Sequence, residues 1–158
     1  MGVEPINSNF AGACCERIVE KYFAEHGYHT FLPMFGQNPP SDLIVTKQNK
    51  TQRVQVKKGT VDKGSRQVRA SLFNINRFQK TTGIDTKTWR EERKNKKPLF
   101  DILAIVHEDR VALINDPELW HLRTSIKLCV KRETSGPSFG SYTKSTLFFE
   151  DFENPKWL

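Results

Sequence analysis

The first run of hydrophobic positions in the chain has helical spacing. Ser8 suits an N-cap position and Gly27 suits a C-terminal stop. Between them, apolar residues recur every three or four positions: Phe10, Ala11, Cys14, Cys15, Ile18, Val19, Tyr22 and Phe23. This spacing predicts an amphipathic helix over residues 9–26, with its apolar face on a core.

Short aromatic and β-branched segments follow, each bounded by turn residues. They predict three strands, over residues 28–34, 42–46 and 53–57. The polar sequence Lys47-Gln-Asn-Lys between the last two segments is typical of a hairpin. The first part of the chain is therefore expected to contain one helix followed by three strands.

The second half of the chain begins with a strongly apolar segment. Residues 100–106 are almost continuously apolar, which is typical of a central strand covered on both faces. Residues 111–114 predict a partner strand, and Asp116 followed by Pro117 predicts the start of a helix. Weaker patterns predict an extended segment over 67–76 and an edge strand or a contact with another subunit at 146–149.

Length and composition favour a single domain. The chain has 158 residues, of which 37% are hydrophobic, and one core stops growing only at roughly 250 residues. No segment approaches the ~18 apolar residues of a membrane span, and the N-terminus has an early acid and no apolar signal region. Three cysteines without a CxxC motif argue against a disulfide framework or a zinc site. We expect a cytoplasmic protein without membrane contacts.

Positive charge is concentrated in the middle third of the chain, although the net charge of the whole is only +7. Residues 46–97 carry 16 Lys and Arg against 4 Asp and Glu, and the rest carries 9 against 14. Phe73, Phe78 and Trp89 lie among the basic residues. The pattern favours a surface that neutralises nucleic-acid phosphates. The polar segment 77–97 is expected to be mobile or to face DNA.

The third predicted strand has two chemically different faces. Its valines point to one face, and Gln55 and Lys57 share the other, because side chains alternate along a strand. A two-residue turn at Gln48-Asn49 or Asn49-Lys50 would place Asp42 opposite Gln55 or Lys57 on the polar face. This face therefore carries a carboxylate, an amide and an ammonium.

The predicted helix adds a second carboxylate. At about 100° per residue, Glu16 falls at the border of the apolar stripe, where it can lean over the sheet. The oxygens of Asp42, Glu16 and Gln55 are hard ligands of the kind that Mg²⁺ takes, together with waters and a substrate phosphate. The ammonium of Lys57 can orient or deprotonate an attacking water and balance charge on the phosphate. These groups are suited to phosphodiester hydrolysis.

The order of these residues resembles a known group of nucleases. Pro40-Ser-Asp42, followed thirteen residues later by Gln55-Val-Lys57 and preceded by a helix with Glu16, is similar to the PD-(D/E)xK superfamily. Within it, the chain resembles the group I intron homing endonucleases, in which Gln can occupy the acidic place of the third motif. The resemblance covers roughly residues 10–122. Its later part, residues 100–119, is similar to the strand, hairpin and helix that follow in that group.

The resemblance implies an α/β protein, more narrowly an α+β mixed sheet, with a restriction-endonuclease-like αβββαβ core and a basic DNA-binding insertion. It implies a metal-dependent, sequence-specific double-strand DNA endonuclease of the homing type that uses Mg²⁺, with Mn²⁺ as a substitute, and no organic cofactor. Glu16, Asp42, Gln55 and Lys57 would be the catalytic residues, and the first three of them the metal ligands. The gene would be bacterial or phage-encoded.

The same resemblance and the charge pattern divide the chain. We expect a single nuclease domain with a core at about 9–58 and 98–130, a basic DNA-binding segment at about 59–97, and a C-terminal segment, 131–158, in subunit contact. The basic residues most suited to touching DNA are Lys58, Lys63, Arg66, Arg69, Arg77 and Lys80. The extended segment 67–76 would enter the major groove as a β-ribbon. A homodimer or tetramer is expected, because one active site cuts one strand.

Two alternatives remain open at this level. A Holliday junction resolvase or a restriction-type nuclease would use the same chemistry on a different DNA substrate. A basic nucleic-acid-binding domain would bind phosphate without any metal-dependent reaction. The presence of Asp42 beside Lys57 argues against that last reading, because carboxylates repel phosphate.

Overall fold

A computed structural model describes residues 8–33, 41–61, 64–132 and 142–158. Its elements are α1 (Ser8–Glu25), β1 (His29–Phe31), β2 (Leu43–Lys47), β3 (Lys50–Lys58), β4 (Thr60–Val61), β5 (Gln67–Ser71), α2 (Ile75–Thr82), α3 (Thr86–Lys94), β6 (Ile102–His107), β7 (Arg110–Ile114) and β8 (Ser125–Cys129). Short 3₁₀ turns lie at Pro117–Leu119 and Phe149–Phe152. In the described residues, no helix is both long and apolar enough to cross a membrane.

The main sheet has five strands in the order β1-β2-β3-β6-β7. Strands β3 and β6 are parallel, and the other neighbours are antiparallel. The parallel register places Gln55 beside Leu103 and Lys57 beside Ile105. The α+β mixed sheet expected from the sequence is therefore confirmed.

The β2–β3 hairpin closes through the turn at Gln48 and Asn49. Both residues have positive φ, of 49° and 63°, as a two-residue type I′ turn requires. Lys47 pairs with Lys50 across this turn, and Leu43 pairs with Val54 further along. The first of the two predicted turn positions is thus the observed one.

One face of the main sheet, the first face, packs under α1. Val19 and Phe23 of the helix are fully buried against Leu43, Val54 and the facing residues of β6 and β7. The apolar stripe predicted for residues 9–26 forms this contact.

The opposite face, the second face, is covered only over β6 and β7. A small antiparallel sheet of order β4-β5-β8, with Trp120 and Phe149, packs on the side chains of Leu103 and Ile105 and of their neighbours on β7. The second face of β2 and β3 is the open half of the sheet. There Ile44 is 40% exposed, and the side chains of β3 are only partly covered.

The two sheets join at Gly59, between β3 and β4. Its N–H donates to the carbonyl of Val106 at 2.7 Å. A Cβ at this position would lie 2.3 Å from Cγ1 of Val68 and 3.2 Å from Cγ2 of Ile105. The backbone therefore approaches its neighbours too closely for any side chain.

The helix start predicted at Asp116 and Pro117 is confirmed, but the helix is a 3₁₀ turn of three residues. The capping signal is real, because the Asp116 carboxylate accepts a hydrogen bond from the N–H of Glu118. The turn stops because Trp120, which follows it, is 2% exposed in the core of the second face. Insertion of this side chain ends the regular backbone.

The basic segment is folded within its described part. Residues 75–94 contain α2 and α3, each with a side-chain N-cap, Asn74 and Asp85 respectively. The expected extended segment 67–76 is a strand only over Gln67–Ser71. That strand, β5, lies between β4 and β8 with one face buried. The segment is thus part of a three-stranded sheet with one exposed face, and its entry into the major groove stays a prediction.

The C-terminal segment packs on its own domain. Phe148 forms a single bridge with Cys129, and Phe149 is fully buried in the core of the second face. Trp157 packs against the core of the first face. These apolar side chains are used within the chain, and the expected subunit contact stays a prediction.

Candidate active site

Asp42 lies at the start of the β2–β3 ladder, one residue before β2. Its N–H donates to the carbonyl of Val54 at 2.9 Å, and Val54 is also the residue that pairs with Leu43, where the ladder begins. Asp42 therefore has no ladder partner of its own, and its side chain contacts Gln55, one of the two residues that the sequence predicted to lie near it. The preceding Pro40 of the predicted motif lies outside the described residues.

Two neighbours hold the Asp42 carboxylate through one of its oxygens. The side-chain amide of Gln55 and the backbone N–H of Val56 both donate to Oδ2, the latter at 2.7 Å. Within the described part of the chain, Oδ1 receives no hydrogen bond. The carboxylate is thus oriented by β3 and keeps one oxygen for a ligand.

The surroundings of Asp42 disfavour its charge. Burial raises the pKa of the Asp42 carboxyl, and the N–H of Val56, the charge of Lys57 and the amide of Gln55 offset this only in part. A partly buried carboxylate with a raised pKa favours binding of a proton or a cation. Lys57 is close enough for its charge to act on Asp42.

Glu16 approaches the same place from α1, on the first face of the sheet. Burial raises the pKa of the Glu16 carboxyl, the charge of Asp42 raises it further, and Arg17 opposes both effects. Glu16 is therefore near enough to Asp42 to be affected by its charge. The structure brings Asp42, Gln55 and Lys57 together, and the part of Glu16 in the same site stays a prediction.

The donor set of this site fits a hard divalent cation. Two carboxylates with raised pKa values and an amide oxygen can bind Mg²⁺, which usually keeps several waters and needs only one or two protein carboxylates. In the described residues no group of three or more His, Cys, Asp or Glu side chains converges. Binding of a metal ion at this site stays a prediction.

The basic residues predicted to touch DNA lie on several surfaces. Lys58, Arg66, Arg69, Arg77 and Lys80 are exposed, whereas Lys63 lies outside the described residues. Arg69 pairs in register with Lys127 on the outer side of the small sheet. Arg77 and Lys80 belong to α2. Their contact with DNA stays a prediction.

Sequence reasoning missed two arginines that lie beside the site. Arg93 and Arg123 line a cavity that also contains Gln55 and Lys57. Cζ of Arg93 lies 5.1 Å from the centroid of the Trp89 ring. The two residues are four apart on α3, and this spacing, which places side chains on one face of a helix, could have indicated their contact from the sequence. Arg123 has no such local signal, because the fold of the chain before β8 brings it there.

No family model matches the chain. Among curated proteins, Protein 5.3 of Escherichia phage T7 is 29% identical over 132 residues, which span 81% of this chain and 94% of that protein. The similarity thus extends over nearly the whole length of the phage protein.

A solved structure shares the fold. The bacterial homing endonuclease I-Ssp6803I matches with a TM-score of 0.58 and 14% identity, over 85% of both chains. At this identity the likeness is one of fold. The mixed α+β architecture of this chain is similar to the fold of that endonuclease.

Proposed function

We propose that the protein is a metal-dependent DNA endonuclease of the PD-(D/E)xK type. One observation carries the proposal: the Asp42 carboxylate is held by Gln55 and the N–H of Val56, beside Lys57, on the open half of the sheet. The homing endonuclease fold and the basic middle third support it. The expected substrate is double-stranded DNA with a defined sequence, as for a homing enzyme.

Asp42, Glu16 and Gln55 are the residues that would hold Mg²⁺, or Mn²⁺ in its place. Such an ion acts as a Lewis acid on the phosphate and stabilises the developing oxyanions. Gln55 has a double role, since its amide nitrogen donates to Asp42. Rotation of this amide would present its oxygen as a ligand, so that one side chain serves both states.

Lys57 would act on the reacting groups directly. Its ammonium can donate to the attacking water and to a phosphate oxygen, which orients the first and balances charge on the second. The open half of the sheet leaves Lys57 accessible to a DNA backbone.

Cleavage of both strands would need two such sites. One active site handles one strand, and we therefore propose a homodimer or tetramer on the DNA. Such an enzyme would act in the cytoplasm of a bacterial cell.

The test is cleavage of a DNA panel with Mg²⁺ or with EDTA. The panel contains randomised duplex DNA, intronless candidate target sites and a four-way junction. We expect Mg²⁺-dependent cleavage that falls by at least about a hundredfold in Lys57→Ala. Lys50→Ala, which removes an exposed lysine from the other end of β3, is the matched control and should cleave normally.

The substrate that is cut separates the alternatives. Discrete products from one duplex site support the homing reading, and cutting at the four-way junction supports a resolvase. Tight, salt-dependent binding without cleavage of any substrate would contradict the endonuclease and leave a binding domain.

A further inference from the structure

A cavity of about 150 Å³ opens directly beside the candidate active site. Gln55 and Lys57 form part of its wall, and the remainder comes from the basic segment and from the residues around Trp120. The catalytic strand and the α2–α3 insertion thus enclose one space. Nothing in the chemistry of phosphodiester hydrolysis requires this space.

The walls of the cavity are flat and aromatic. Phe73 and Trp89 are stacked, with ring centroids 4.9 Å apart and planes inclined by 13°. Phe100 and Trp120 are stacked in the same way, at 4.0 Å and 17°. All four side chains line the cavity. Such surfaces suit another flat aromatic group, and nucleobases stack on them irrespective of sequence.

Buried polar groups around the cavity lack partners. In the described part of the chain, Nε of Arg93, Nε1 of Trp120 and Nδ1 of His121 are buried without a hydrogen bond. The other ring nitrogen of His121 lies 3.1 Å from the carbonyl of Arg93, which can only accept. In the neutral ring, Nδ1 is therefore an acceptor.

These groups define the kind of ligand that the cavity suits. The residues that carry these atoms line the cavity, so their two donors and one acceptor would meet the mixed edge of a nucleobase only after the side chains shift towards it. A purely apolar ligand would leave them unpaired.

Positive charge lies along the approach to the cavity. Arg123 lines it and is exposed. A second cleft, of about 370 Å³, shares Phe73 and Trp89 with the cavity and continues past Lys96 and Lys97. The phosphates on either side of a bound base would meet these cations.

We infer that this cavity binds a single unpaired nucleobase next to the scissile phosphate. The inference rests on the proposed function and narrows its substrate to DNA in which a base is bulged, mismatched or easily unstacked at the cleavage position. A base that is already unpaired enters without the cost of leaving a duplex. The α2–α3 insertion is then a wall of the base site as well as a phosphate-binding surface.

The test compares two DNA probes in EDTA, where metal-dependent cleavage does not occur. One is a short duplex with a single bulged adenine, and the other is the same duplex fully paired. We expect the bulged probe to bind about tenfold more tightly, as stacking of one base would give, and to quench the tryptophan fluorescence of the protein.

Two pairs of variants connect that preference to the cavity. Phe73→Leu removes one flat wall, and Phe31→Leu removes an exposed phenylalanine of β1 as its control. Arg123→Ala removes the cation at the opening, and Arg90→Ala removes an exposed arginine of α3 that does not line the cavity. The preference should fall to about twofold or less in the first member of each pair and persist in the second. Unfolding midpoints confirm that each variant is folded.

The outcomes separate this inference from the proposed function. Equal binding of the two probes, or a preference that survives Phe73→Leu and Arg123→Ala, overturns the base site, even if Lys57-dependent cleavage is observed. A preference that depends on both residues supports the base site. If this binding preference is measured but no DNA is cleaved, the proposed endonuclease function is contradicted, whereas the proposed base-binding cavity is still supported.

Discussion

The two halves of the second face of the main sheet differ in what covers them. Over β6 and β7 the small sheet lies on top, and Leu103 and Ile105 are fully buried. Over β2 and β3 no second sheet is packed within the described residues, and Gln55 and Lys57, which line the cavity beside the α2–α3 insertion, remain partly exposed. In the parallel register of β3 and β6, Gln55 lies beside Leu103 and Lys57 lies beside Ile105.

This contrast explains how one site combines burial with access. Asp42 is buried enough for its pKa to rise, because the apolar half and α1 lie close to it. Lys57 remains open to a substrate, because the small sheet ends before β3. A uniformly covered face would exclude DNA, and a uniformly open one would leave the carboxylates hydrated. The candidate site lies at the boundary between the covered half and the open half of the second face.

The strongest test of the contrast is Asp42→Asn. We expect DNA cleavage to fall about a thousandfold, because a charged metal ligand is lost. The asparagine oxygen can still accept from the N–H of Val56, so the fold should be retained. The measurement is the cleavage rate in Mg²⁺ beside the unfolding midpoint in EDTA.

The raised pKa of Asp42 also predicts the direction in which Asp42→Asn changes the stability of the protein. A carboxyl whose pKa is raised by folding contributes stability at low pH that is lost as the pH rises through its folded pKa. At neutral pH, Asp42→Asn removes that unfavourable charge, and its midpoint in EDTA should equal or exceed that of the wild type. A clear decrease would show that Asp42 serves the fold and not a ligand.

Two isoleucines on the second face compare the halves directly. Ile105→Ala should lower the free energy of unfolding by about 3 kcal/mol, because it leaves a cavity under the small sheet. Ile44→Ala, on the open half, should cost less than about 1 kcal/mol, since this side chain is 40% exposed. Chemical denaturation of both variants measures the difference, and equal costs would mean that the open half is covered.

The junction between the sheets can be disturbed at Gly59. Gly59→Ala adds a methyl group in contact with Val68 and Ile105, and overpacking of this kind costs about 2 kcal/mol. The loss should appear in denaturant unfolding. Gly12→Ala on α1, where a Cβ meets nothing within 4 Å, is the control and should be neutral or stabilising.

The smallest effect is expected at the start of the β3–β6 pairing. Asp101 accepts from Nε and the backbone N–H of Arg53, at 3.1 and 2.7 Å, and the guanidinium lowers the pKa of its carboxyl. Because both side chains are more than a third exposed, Asp101→Asn should cost only about 1 kcal/mol at neutral pH.

The pH dependence of unfolding tests whether the stabilisation by the Arg53–Asp101 pair is electrostatic. A carboxyl with a lowered folded pKa contributes stability above its unfolded pKa, about 3.9, and loses it as the pH falls through the folded value. Wild type and Asp101→Asn should therefore converge in stability in acid. A difference that persists there would assign the effect to packing.

Local sequence patterns were sufficient for the hairpin and for the polar face of β3. Alternation placed Gln55 and Lys57 on one side of β3, and the turn at Gln48 and Asn49 set the register that brings Asp42 into contact with Gln55. These relations depend on residues close in sequence, whose geometry follows from strand period and turn length.

The two helices of the basic segment, α2 and α3, were not predicted from the spacing of hydrophobic residues. In the part of the chain that the structure describes, α2 has no buried residue and α3 has only Trp89. Both helices are short and mostly polar, so their amphipathic signal rests on very few apolar residues, Ile75 and Phe78 in α2 and Trp89 in α3. Their caps, Asn74 and Asp85, and Gly83 with its φ of 73° were the local signals that remained.

The sequence by itself determined α1, the β2–β3 hairpin, the apolar β6 and the group Asp42, Gln55 and Lys57, because each follows from residue chemistry at short range. The tertiary structure decided which half of the second face is covered. That depends on β5 pairing with β8, more than fifty residues later in the chain, and on Trp120 entering the core instead of continuing a helix. Long-range pairing and packing leave no pattern within a single segment, and they alone place the aromatic cavity beside Lys57.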